Sequence, residues 1–294
     1  LTKVKSTYAE GLKSYIKNGK IYPIFNQTLT RTGRLSCMEP NLQNIPIRNE
    51  EGRIIRKAFT ASENHVLLGC DYSQIELRIF AHFSKVPSLI QAFKKGLDIH
   101  TKTAMDIFDV KKAEVTSEQR RIAKAVNFGI IYGIGAWSLS EDINVSPKEA
   151  QAFIDRYLDI YPEIKTYMEK IVKFAKENTY VETMLKRRRY IPELKSPVFT
   201  QRAFGERTAL NAPIQGSAAD IIKKAMVDIY QYLKKNKKKS KLILQVHDEL
   251  ILEVPNDELT EMQMIIPEMM ENVFKLKVRL KTSCDIGITW YDLK

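Results

Sequence analysis

The chain contains 294 residues, more than one hydrophobic core usually organises, so we expect two lobes. Its 47 basic and 35 acidic side chains leave a formal net charge of +12, which suits a polyanionic partner, although a basic surface kept for solubility fits the charge equally well. No apolar stretch approaches the length of a transmembrane helix and no signal peptide is visible. Cys37, Cys70 and Cys284 have neither disulfide-framework nor zinc-site spacing, so we expect unpaired thiols in a reducing compartment.

Periodicity and turn residues predict a series of elements in chain order. The first half contains an amphipathic helix over 1–20, a turn-rich segment with two short β-like runs over 21–60, a strand over 65–71, a helix over 74–82 and a helical region over about 85–190. The second half contains one long helix or two helices over 206–235 with a kink near Pro213 and Gly216, a hairpin over 241–254, a helix over 257–276 and a strand near 278–288. Strands at both ends and helices in the middle predict a sheet-based domain with an inserted helical lobe.

Residues of the hairpin over 241–254 alternate between the two faces of each strand, and this alternation predicts the length of the turn that joins the strands. If the even-numbered residues of both strands face the same way, the tip has three residues, His247 to Glu249, and one face is buried. Asp248 is then at the apex. A two-residue tip would disturb this alternation, so the loop length is itself a prediction.

Two carboxylates, Asp71 and Asp248, stand at the ends of apolar runs that read as buried strands. An ionised carboxylate in such surroundings is costly unless a cation or a hydrogen-bond donor compensates it. Two of them brought together would repel, and divalent cations relieve both costs, as in a two-metal phosphoryl-transfer site. The alternative is that each aspartate merely terminates a strand.

The segment 116–133 predicts a helix with two distinct faces. Thr116 and Gln119 form a capping-box pattern at its start. A stripe of roughly 18 Å recurs every four residues, cationic first and aromatic second, and consists of Arg120, Lys124, Phe128 and Tyr132. A nucleoside triphosphate has the same polarity, phosphates at one end and a flat base at the other. An apolar stripe of Ile122, Val126 and Ile130 would anchor the helix, and an ordinary amphipathic helix is the alternative.

Three segments occur in order along the chain: Asp71-Tyr72-Ser73-Gln74-Ile75-Glu76-Leu77-Arg78, the helix Arg120 to Gly133, and Gln245-Val246-His247-Asp248-Glu249. Their order and spacing resemble the polymerase motifs of family A DNA polymerases, the bacterial DNA polymerase I type. The resemblance extends to Thr32-Gly33-Arg34-Leu35-Ser36, Pro40-Asn41-Leu42-Gln43-Asn44-Ile45-Pro46, Asp98-Ile99-His100-Thr101 and Asn211-Ala212-Pro213-Ile214-Gln215-Gly216. It covers nearly the whole chain.

The resemblance implies a right-hand polymerase of the α+β class, in which an α-helical fingers subdomain is inserted into an antiparallel-sheet palm and the thumb is largely absent. The implied subdomains are a thumb remnant over 1–14, the first part of the palm over 15–80, the fingers over 81–204 and the second part of the palm over 205–294. The implied reaction is template-directed addition of deoxynucleotides to a primer 3′ end by two-metal phosphoryl transfer, with no proofreading domain in this chain. With most of the thumb missing, weak DNA affinity is expected.

The same resemblance assigns the chemistry to Asp71, Asp248, Glu249 and Lys124. Two Mg²⁺ ions would be held by the carboxylates of Asp71 and Asp248 and by the backbone carbonyl of Tyr72. Glu249 would support the site, and Lys124 is a candidate proton donor to pyrophosphate. The alternative for Glu249 is a hairpin-tip charge with no role in the reaction.

The implied nucleotide-binding residues are Tyr72, Gln74, Glu76, His100, Arg120, Lys124, Phe128 and Tyr132. Glu76 would occupy the space that a ribose 2′-hydroxyl needs. Family members with Tyr at the position of Phe128 accept dideoxynucleotides more readily, so Phe128 predicts discrimination against them. Tyr132 would stack at the templating position, and a capped or solvated side chain is the alternative for His100.

The implied DNA-binding residues are Arg34, Asn41, Gln43, Asn44, Arg207, Asn211, Gln215 and His247. Arg207, Asn211 and Gln215 recur at four-residue spacing, so their donor groups lie on one helix face. The resemblance implies that these donors reach the minor-groove acceptors of the newest base pairs. The alternative for Asn41 and Asn44 is turn capping. The cluster Arg187-Arg188-Arg189 fits either the template backbone or a solvated surface.

The implied partners are primer–template DNA and deoxynucleoside triphosphates, with no membrane and a monomeric chain, in the cytoplasm of a bacterial or phage-infected cell or in an organelle. The rival enzyme is a single-subunit RNA polymerase, against which Glu76 and the segment Asn41–Pro46 argue. The rival without activity is a nucleic-acid-binding module, which the complete set of expected metal ligands disfavours. Departures from the family pattern at Cys37-Met38-Glu39 and at Lys186 predict local effects only.

Overall fold

The computed structural model describes residue 8, residues 10–47 and residues 50–293. These residues form two compact units. The first, which we call the sheet unit, lies within Leu1–Ser73, Ala219–Phe274 and Leu280–Lys294; the second, which we call the helical unit, comprises Gln74–Ala218 and Lys275–Arg279. The predicted combination of helices with an antiparallel sheet is confirmed, and the division into palm, fingers and thumb stays a prediction.

The β-strands of the described residues are β1 (Ile16–Lys17), β2 (Lys20–Ile21), β3 (Ile24–Asn26), β4 (Ser36–Met38), β5 (His65–Tyr72), β6 (Tyr180–Glu182), β7 (Arg188–Tyr190), β8 (Lys241–Val246), β9 (Glu249–Pro255) and β10 (Thr282–Gly287). The α-helices are α1 (Glu50–Arg53), α2 (Ile75–Ser84), α3 (Pro87–Lys94), α4 (Ile99–Phe108), α5 (Ser117–Tyr132), α6 (Ala136–Ile143), α7 (Pro147–Ile160), α8 (Pro162–Asn178), α9 (Phe199–Lys235) and α10 (Leu259–Asn272). Short 3₁₀ helices cover Gly11–Tyr15, Leu42–Asn44, Ile54–Ala58, Lys112–Glu114, Pro192–Lys195 and Trp290–Leu293. No helix in these described ranges is both long and apolar enough to cross a membrane.

A four-stranded antiparallel sheet forms the centre of the sheet unit, in the order β10-β5-β9-β8. The inner strands β5 and β9 are covered on both faces, which explains why they read as continuous apolar runs. One core cluster joins Leu67, Val246 and Ile251 to Trp290 and Leu293 at the end of the chain. The core of the sheet unit therefore joins residues from the first and last quarters of the sequence.

The tip of the β8–β9 hairpin differs from its prediction. Val246 is opposite Glu249, so the loop has two residues, His247 and Asp248, and the predicted three-residue tip is wrong. A bulge compensates, because Leu242 is opposite Leu252 while Leu244 is opposite Ile251. The extra residue resets the alternation that a two-residue tip would otherwise disturb. The predicted burial of one face is also wrong, since Ile251 is buried on the opposite face to Leu250.

Two regions predicted as helix contain hairpins. Part of the predicted helix over 1–20, with most of the predicted thumb remnant, lies outside the described residues. In the remainder β1 pairs with β2 across Asn18-Gly19, whose φ angles of 51° and 72° suit a two-residue hairpin turn. Within the predicted helical region 85–190, β6 pairs with β7. Helix α8 ends before Thr179, whose φ of 62° lets the chain turn.

The long helix over 206–235 is observed, but it begins earlier than predicted. Helix α9 runs without a break through Pro213 and has 37 residues.

Cys70 and Cys284 form a disulfide, so the expectation of unpaired thiols is wrong for this pair. The two residues are direct partners across β5 and β10, with their Cα atoms 4.2 Å apart. They are separated by 214 positions in the sequence, so their spacing carries no pairing signal. The argument from cysteine usage for a reducing compartment loses its basis. Cys37 is a free, buried thiol.

Replacing Leu68 with alanine is expected to lower the free energy of unfolding by about 3 kcal/mol, because a fully buried leucine loses its contacts and leaves a cavity. Leu68 has no exposed surface and lies opposite Leu252 in the sheet. Urea denaturation would measure the change. Ile288→Ala is the control, since Ile288 is 66% exposed and its loss should cost less than about 0.5 kcal/mol. Equal effects at the two positions would contradict the assigned core.

Candidate active site

The two aspartates singled out in the sequence lie next to each other at one end of the central sheet. Asp71 is paired with Glu249, the first residue of β9. The backbone nitrogen of Tyr72 donates a hydrogen bond of 3.1 Å to the backbone oxygen of Asp248 at the hairpin tip. Both aspartates are half-buried. The antiparallel pairing of β5 with β9 thus brings together residues that are distant in the sequence.

The donor chemistry at this edge fits magnesium. Mg²⁺ prefers oxygen ligands, and it usually binds through one or two carboxylates while phosphate and water complete its coordination. In the described part of the chain no group of three or more His, Cys, Asp or Glu side chains could hold an ion by itself. Asp71 and Asp248 therefore suit an ion that arrives with a phosphate ligand better than one held in an all-protein cage.

Glu249 is buried beside the aspartates, with 6% of its surface exposed. A Cβ atom on Gly69 would lie 2.8 Å from Oε1 of Glu249, so glycine leaves the room that this carboxylate occupies. Burial lowers the pKa of Arg56, and the negative charge of Glu249 opposes that shift. The guanidinium of Arg56 also lies 4.3 Å from the ring centroid of Trp290. Arg56, which the sequence did not single out, thus contributes charge compensation for Glu249.

The predicted DNA-binding residues of the sheet unit surround the same hairpin. Nε2 of Gln43 donates to the backbone oxygen of Gln245 at 3.1 Å and to its side-chain oxygen at 3.0 Å. The side chain of Asn41 caps the following turn by accepting from the backbone nitrogen of Gln43 at 3.1 Å, which is the contact that the capping alternative predicts, and its role in DNA binding stays a prediction. The backbone oxygen of Asn44 accepts from the hydroxyl of Tyr8 at 2.6 Å. A small cavity is lined by Arg34, Lys223, His247 and Asp248.

Helix α5 places its two predicted stripes on different faces. The capping box is present, with Gln119 N donating to Thr116 Oγ1 at 3.1 Å and Thr116 N donating to Gln119 Oε1 at 2.9 Å. The apolar stripe is buried, and it consists of Ile122, Val126 and Ile130. Arg120 and Lys124 are exposed, and the rings of Phe128 and Tyr132 stack with centroids 6.1 Å apart. The cationic and aromatic halves of the stripe are therefore available to a ligand.

Asp98 connects two predicted phosphate-binding residues of the helical unit. Its carboxylate caps α4 by accepting from the backbone nitrogen of His100 at 3.0 Å and accepts from Arg120 Nε at 2.6 Å. Burial raises the pKa of Asp98, but the hydrogen bonds from Arg120 and Thr101 outweigh burial and lower it overall. Asp98 was not singled out beyond its motif, although an aspartate before a helix is a recognisable N-cap signal. It holds Arg120 in place in this structure.

Glu76 and Tyr132 are joined by a hydrogen bond. The hydroxyl of Tyr132 donates to Oε2 of Glu76 at 2.7 Å, and Glu76 is 7% exposed. Tyr132 is the last residue of α5, where Gly133 follows with a φ of 63°. A Cβ atom on Gly133 would lie 3.1 Å from the side chain of Leu210. Tyr132 thus connects the C-terminal end of α5 to the carboxylate of Glu76. Gln74 precedes α2 with a φ of 53°.

The three residues at four-residue spacing, Arg207, Asn211 and Gln215, lie on α9. Among the described residues Nδ2 of Asn211 is buried without a hydrogen-bond partner. An unpaired buried donor is costly, and a ligand acceptor would relieve that cost. Arg207 lines a groove of about 690 Å³ together with Gly133, Lys173 and Lys176.

Comparison with known proteins identifies the class. The sequence matches the family model described as DNA polymerase family A over residues 1–292, and the chain belongs to that family.

Similar proteins include the DNA polymerase I of Bacillus subtilis (strain 168), which is 56% identical over 99% of this chain and 34% of its own length. The DNA polymerase I of Geobacillus stearothermophilus is 54% identical over 100% of this chain and 34% of its own length. The chain therefore spans about a third of the length of these curated relatives. A solved structure, the POL domain of Pol1 from M. smegmatis in complex with DNA primer-template and dNTP, has a TM-score of 0.95 and 44% identity over 99% of this chain and 52% of that one.

Proposed function

We propose that this chain catalyses template-directed addition of deoxynucleotides to a primer 3′ end by two-metal phosphoryl transfer. The observation that carries the proposal is the adjacency of Asp71 and Asp248, which the β5–β9 pairing and the hydrogen bond from Tyr72 N to Asp248 O impose. The family to which the chain belongs supports the same reaction. The proposal concerns polymerisation alone. The location of the protein in a cell and its monomeric state stay predictions.

Asp71 and Asp248 would hold the two Mg²⁺ ions, together with the carbonyl of Tyr72. Such ions help to deprotonate the attacking hydroxyl and stabilise the charge that develops on the departing pyrophosphate. Asp71 on β5 and Asp248 in the tight β8–β9 turn are half-buried, so the sheet fixes where both carboxylates stand before a ligand binds. Glu249 supports the site from its buried position beside them, where Arg56 limits the accumulated negative charge.

The helical unit supports the proposal with its nucleotide-binding stripe. Arg120 and Lys124 are exposed cations for the phosphates, and Lys124 can give a proton to the leaving pyrophosphate. The stacked rings of Phe128 and Tyr132 offer apolar surface for the sugar and the base. His100 and Gln74 complete the proposed nucleotide contacts. Nucleotidyl transfer uses both features. Its metal ions need the carboxylate pair, and the phosphates of its substrate need the cations of the nucleotide-binding stripe.

The proposed DNA contacts are Arg34, Asn41, Gln43, Asn44 and His247 in the sheet unit and Arg207, Asn211 and Gln215 on α9. The unpaired Nδ2 of Asn211 supports this assignment, because a base-edge acceptor would satisfy it. The primer-template and dNTP named for the M. smegmatis structure support the same partners for this chain.

Primer extension tests the proposal directly. The 294-residue chain, supplied with a primer–template and Mg²⁺, should extend the primer with deoxynucleotides and should stop when the metal is chelated. Preferential use of ribonucleotides would instead support a single-subunit RNA polymerase. DNA binding without incorporation at any metal concentration would support the binding-module alternative.

Replacing Glu76 with alanine should increase ribonucleotide incorporation relative to deoxynucleotide incorporation by at least about tenfold, since removing the carboxylate opens the space for a 2′-hydroxyl. Tyr132→Phe is the matched variant, because it removes the 2.7 Å hydrogen bond to Glu76 and keeps the carboxylate. Single-nucleotide insertion with paired ribo- and deoxynucleotides measures the ratio. If Tyr132→Phe relaxes sugar selection as much as Glu76→Ala, the hydrogen bond and not the bulk of Glu76 sets the selection.

A further inference from the structure

A buried polar cluster behind the nucleotide-binding stripe involves Asn127. This residue lies on α5 and is 1% exposed. Its amide contacts two residues of α4 and one of α7, which are His100, Thr103 and Tyr157. Nδ2 of Asn127 lies 3.2 Å from Nδ1 of His100, and Oδ1 lies 3.1 Å from the hydroxyl of Tyr157. A buried amide that makes this many contacts positions its neighbours.

The orientation of the amide follows from Tyr157. Tyr157 has no exposed surface, and burial raises the pKa of its hydroxyl, so the hydroxyl keeps its proton. Among the described residues the one hydrogen-bond partner of this hydroxyl is Oδ1 of Asn127. A buried O–H needs an acceptor, and the opposite orientation of the amide would leave the hydroxyl without one. Oδ1 therefore points to Tyr157, and Nδ2 points to His100.

This orientation determines where His100 carries its proton. Because Nδ2 of Asn127 can only donate, Nδ1 of His100 must accept and is unprotonated. Burial lowers the pKa of His100 to about 4, Asp98 opposes that shift, and the charges of Arg120 and Lys124 reinforce it. The ring is thus neutral near pH 7 with its single proton on Nε2. Nε2 makes no hydrogen bond within the described residues, and 4% of the surface of His100 is exposed.

We propose that Asn127 is a positioning residue that fixes His100 as the neutral Nε2–H tautomer, so that Nε2 presents a hydrogen-bond donor to the triphosphate. The proposal rests on the proposed function for the identity of the ligand. The benefit is a donor that does not depend on pH near neutrality. An ordinary histidine with a pKa near 6.5 would change its charge in that range.

Nitrogen-15 NMR of the wild-type chain tests the tautomer without any need for activity. The chain has four histidines, and the resonances lost in His100→Gln identify His100. We expect a neutral Nε2–H ring from pH 8 down to about pH 5, because the depressed pKa delays protonation. A proton on Nδ1, or an imidazolium that forms near pH 6.5, would overturn the proposal.

Kinetics of Asn127→Asp provide the second test. A carboxylate at this position can only accept, so it would place the proton on Nδ1 and leave Nε2 without a donor whenever the ring is neutral. The KM for the deoxynucleotide should therefore increase by about tenfold as pH rises from 6 to 8, while the wild-type value changes little. Asp98, Arg120 and Lys124 act on the ring in both proteins, so the new carboxylate is the added charge. Because it lies beside Nδ1, it favours the imidazolium and moves the loss of the ring proton into the range between pH 6 and pH 8. Equal pH profiles would refute the role of Asn127.

Tyr157→Phe tests the source of the amide orientation. It removes the hydroxyl that requires Oδ1 of Asn127 as its acceptor, so both neutral tautomers of His100 are expected in the same NMR measurement. A pure Nε2–H tautomer in Tyr157→Phe would overturn the argument that Tyr157 fixes the amide. If Asn127→Asp does not fold, Asn127→Ala with the same NMR measurement replaces it, and a mixture of tautomers is expected. A chain that shows the Nε2–H tautomer but extends no primer would refute the proposed function alone. A chain that extends primers with the Nδ1–H tautomer would refute this inference alone.

Discussion

Replacing Asp71 or Asp248 with alanine should lower primer extension by at least about a thousandfold. The ions that the two aspartates would hold supply several kcal/mol of transition-state stabilisation, and each ~1.4 kcal/mol corresponds to a factor of ten in rate. Binding of primer–template should change by only a few-fold, because the aspartates are acidic and contribute no attraction to phosphate. Single-turnover extension and fluorescence anisotropy measure the two quantities separately.

The matched control for this experiment is Asp285→Ala. Asp285 is an exposed aspartate on β10, opposite Gly69 in the same sheet. Its removal changes the net charge by the same amount and should leave extension within about twofold, as for a surface substitution. Extension that persists in Asp71→Ala or Asp248→Ala would mean that the aspartates are strand-terminating residues and that the metal assignment is incorrect.

Replacing Lys124 with alanine should have the second largest effect, a loss of about a hundredfold in the maximal rate of incorporation. Lys124 is exposed on α5, one turn after Arg120, and a charge-assisted hydrogen bond to phosphate contributes about 1.5–3 kcal/mol. Single-turnover rates at saturating deoxynucleotide separate this effect from weaker binding. Lys148→Ala, an exposed lysine near the start of α7, is the charge-matched control and should extend primers normally.

Lys124→Arg distinguishes two roles for this lysine. Arginine keeps the positive charge but does not release a proton in proteins. If Lys124 only attracts phosphate, arginine should restore most of the rate and the KM. If Lys124 also protonates pyrophosphate, arginine should restore the KM and leave the maximal rate low. Normal maximal rates in both Lys124 variants would remove the residue from the proposed chemistry.

The local parts of the structure were largely accessible from the sequence. Residue type and spacing within one element account for the capping box at Thr116, the buried stripe on α5 and the strand that contains Asp71. Asn18-Gly19 is a strong signal for the β1–β2 hairpin, but it lies at the end of a segment whose apolar periodicity is that of a helix. The one-residue bulge near Ile243 could not be predicted from the sequence, because alternation by itself cannot show where an extra residue enters a strand.

The sequence by itself determined the family, the order of the motifs and the residue types at the site, because these depend on residues a few positions apart. Only the tertiary structure decided which distant residues meet. It placed Tyr72 against Asp248, Cys70 opposite Cys284, and Asn127 between His100 and Tyr157. The physical reason is that strand register and helix packing set these contacts, and both depend on side-chain fit across the whole core.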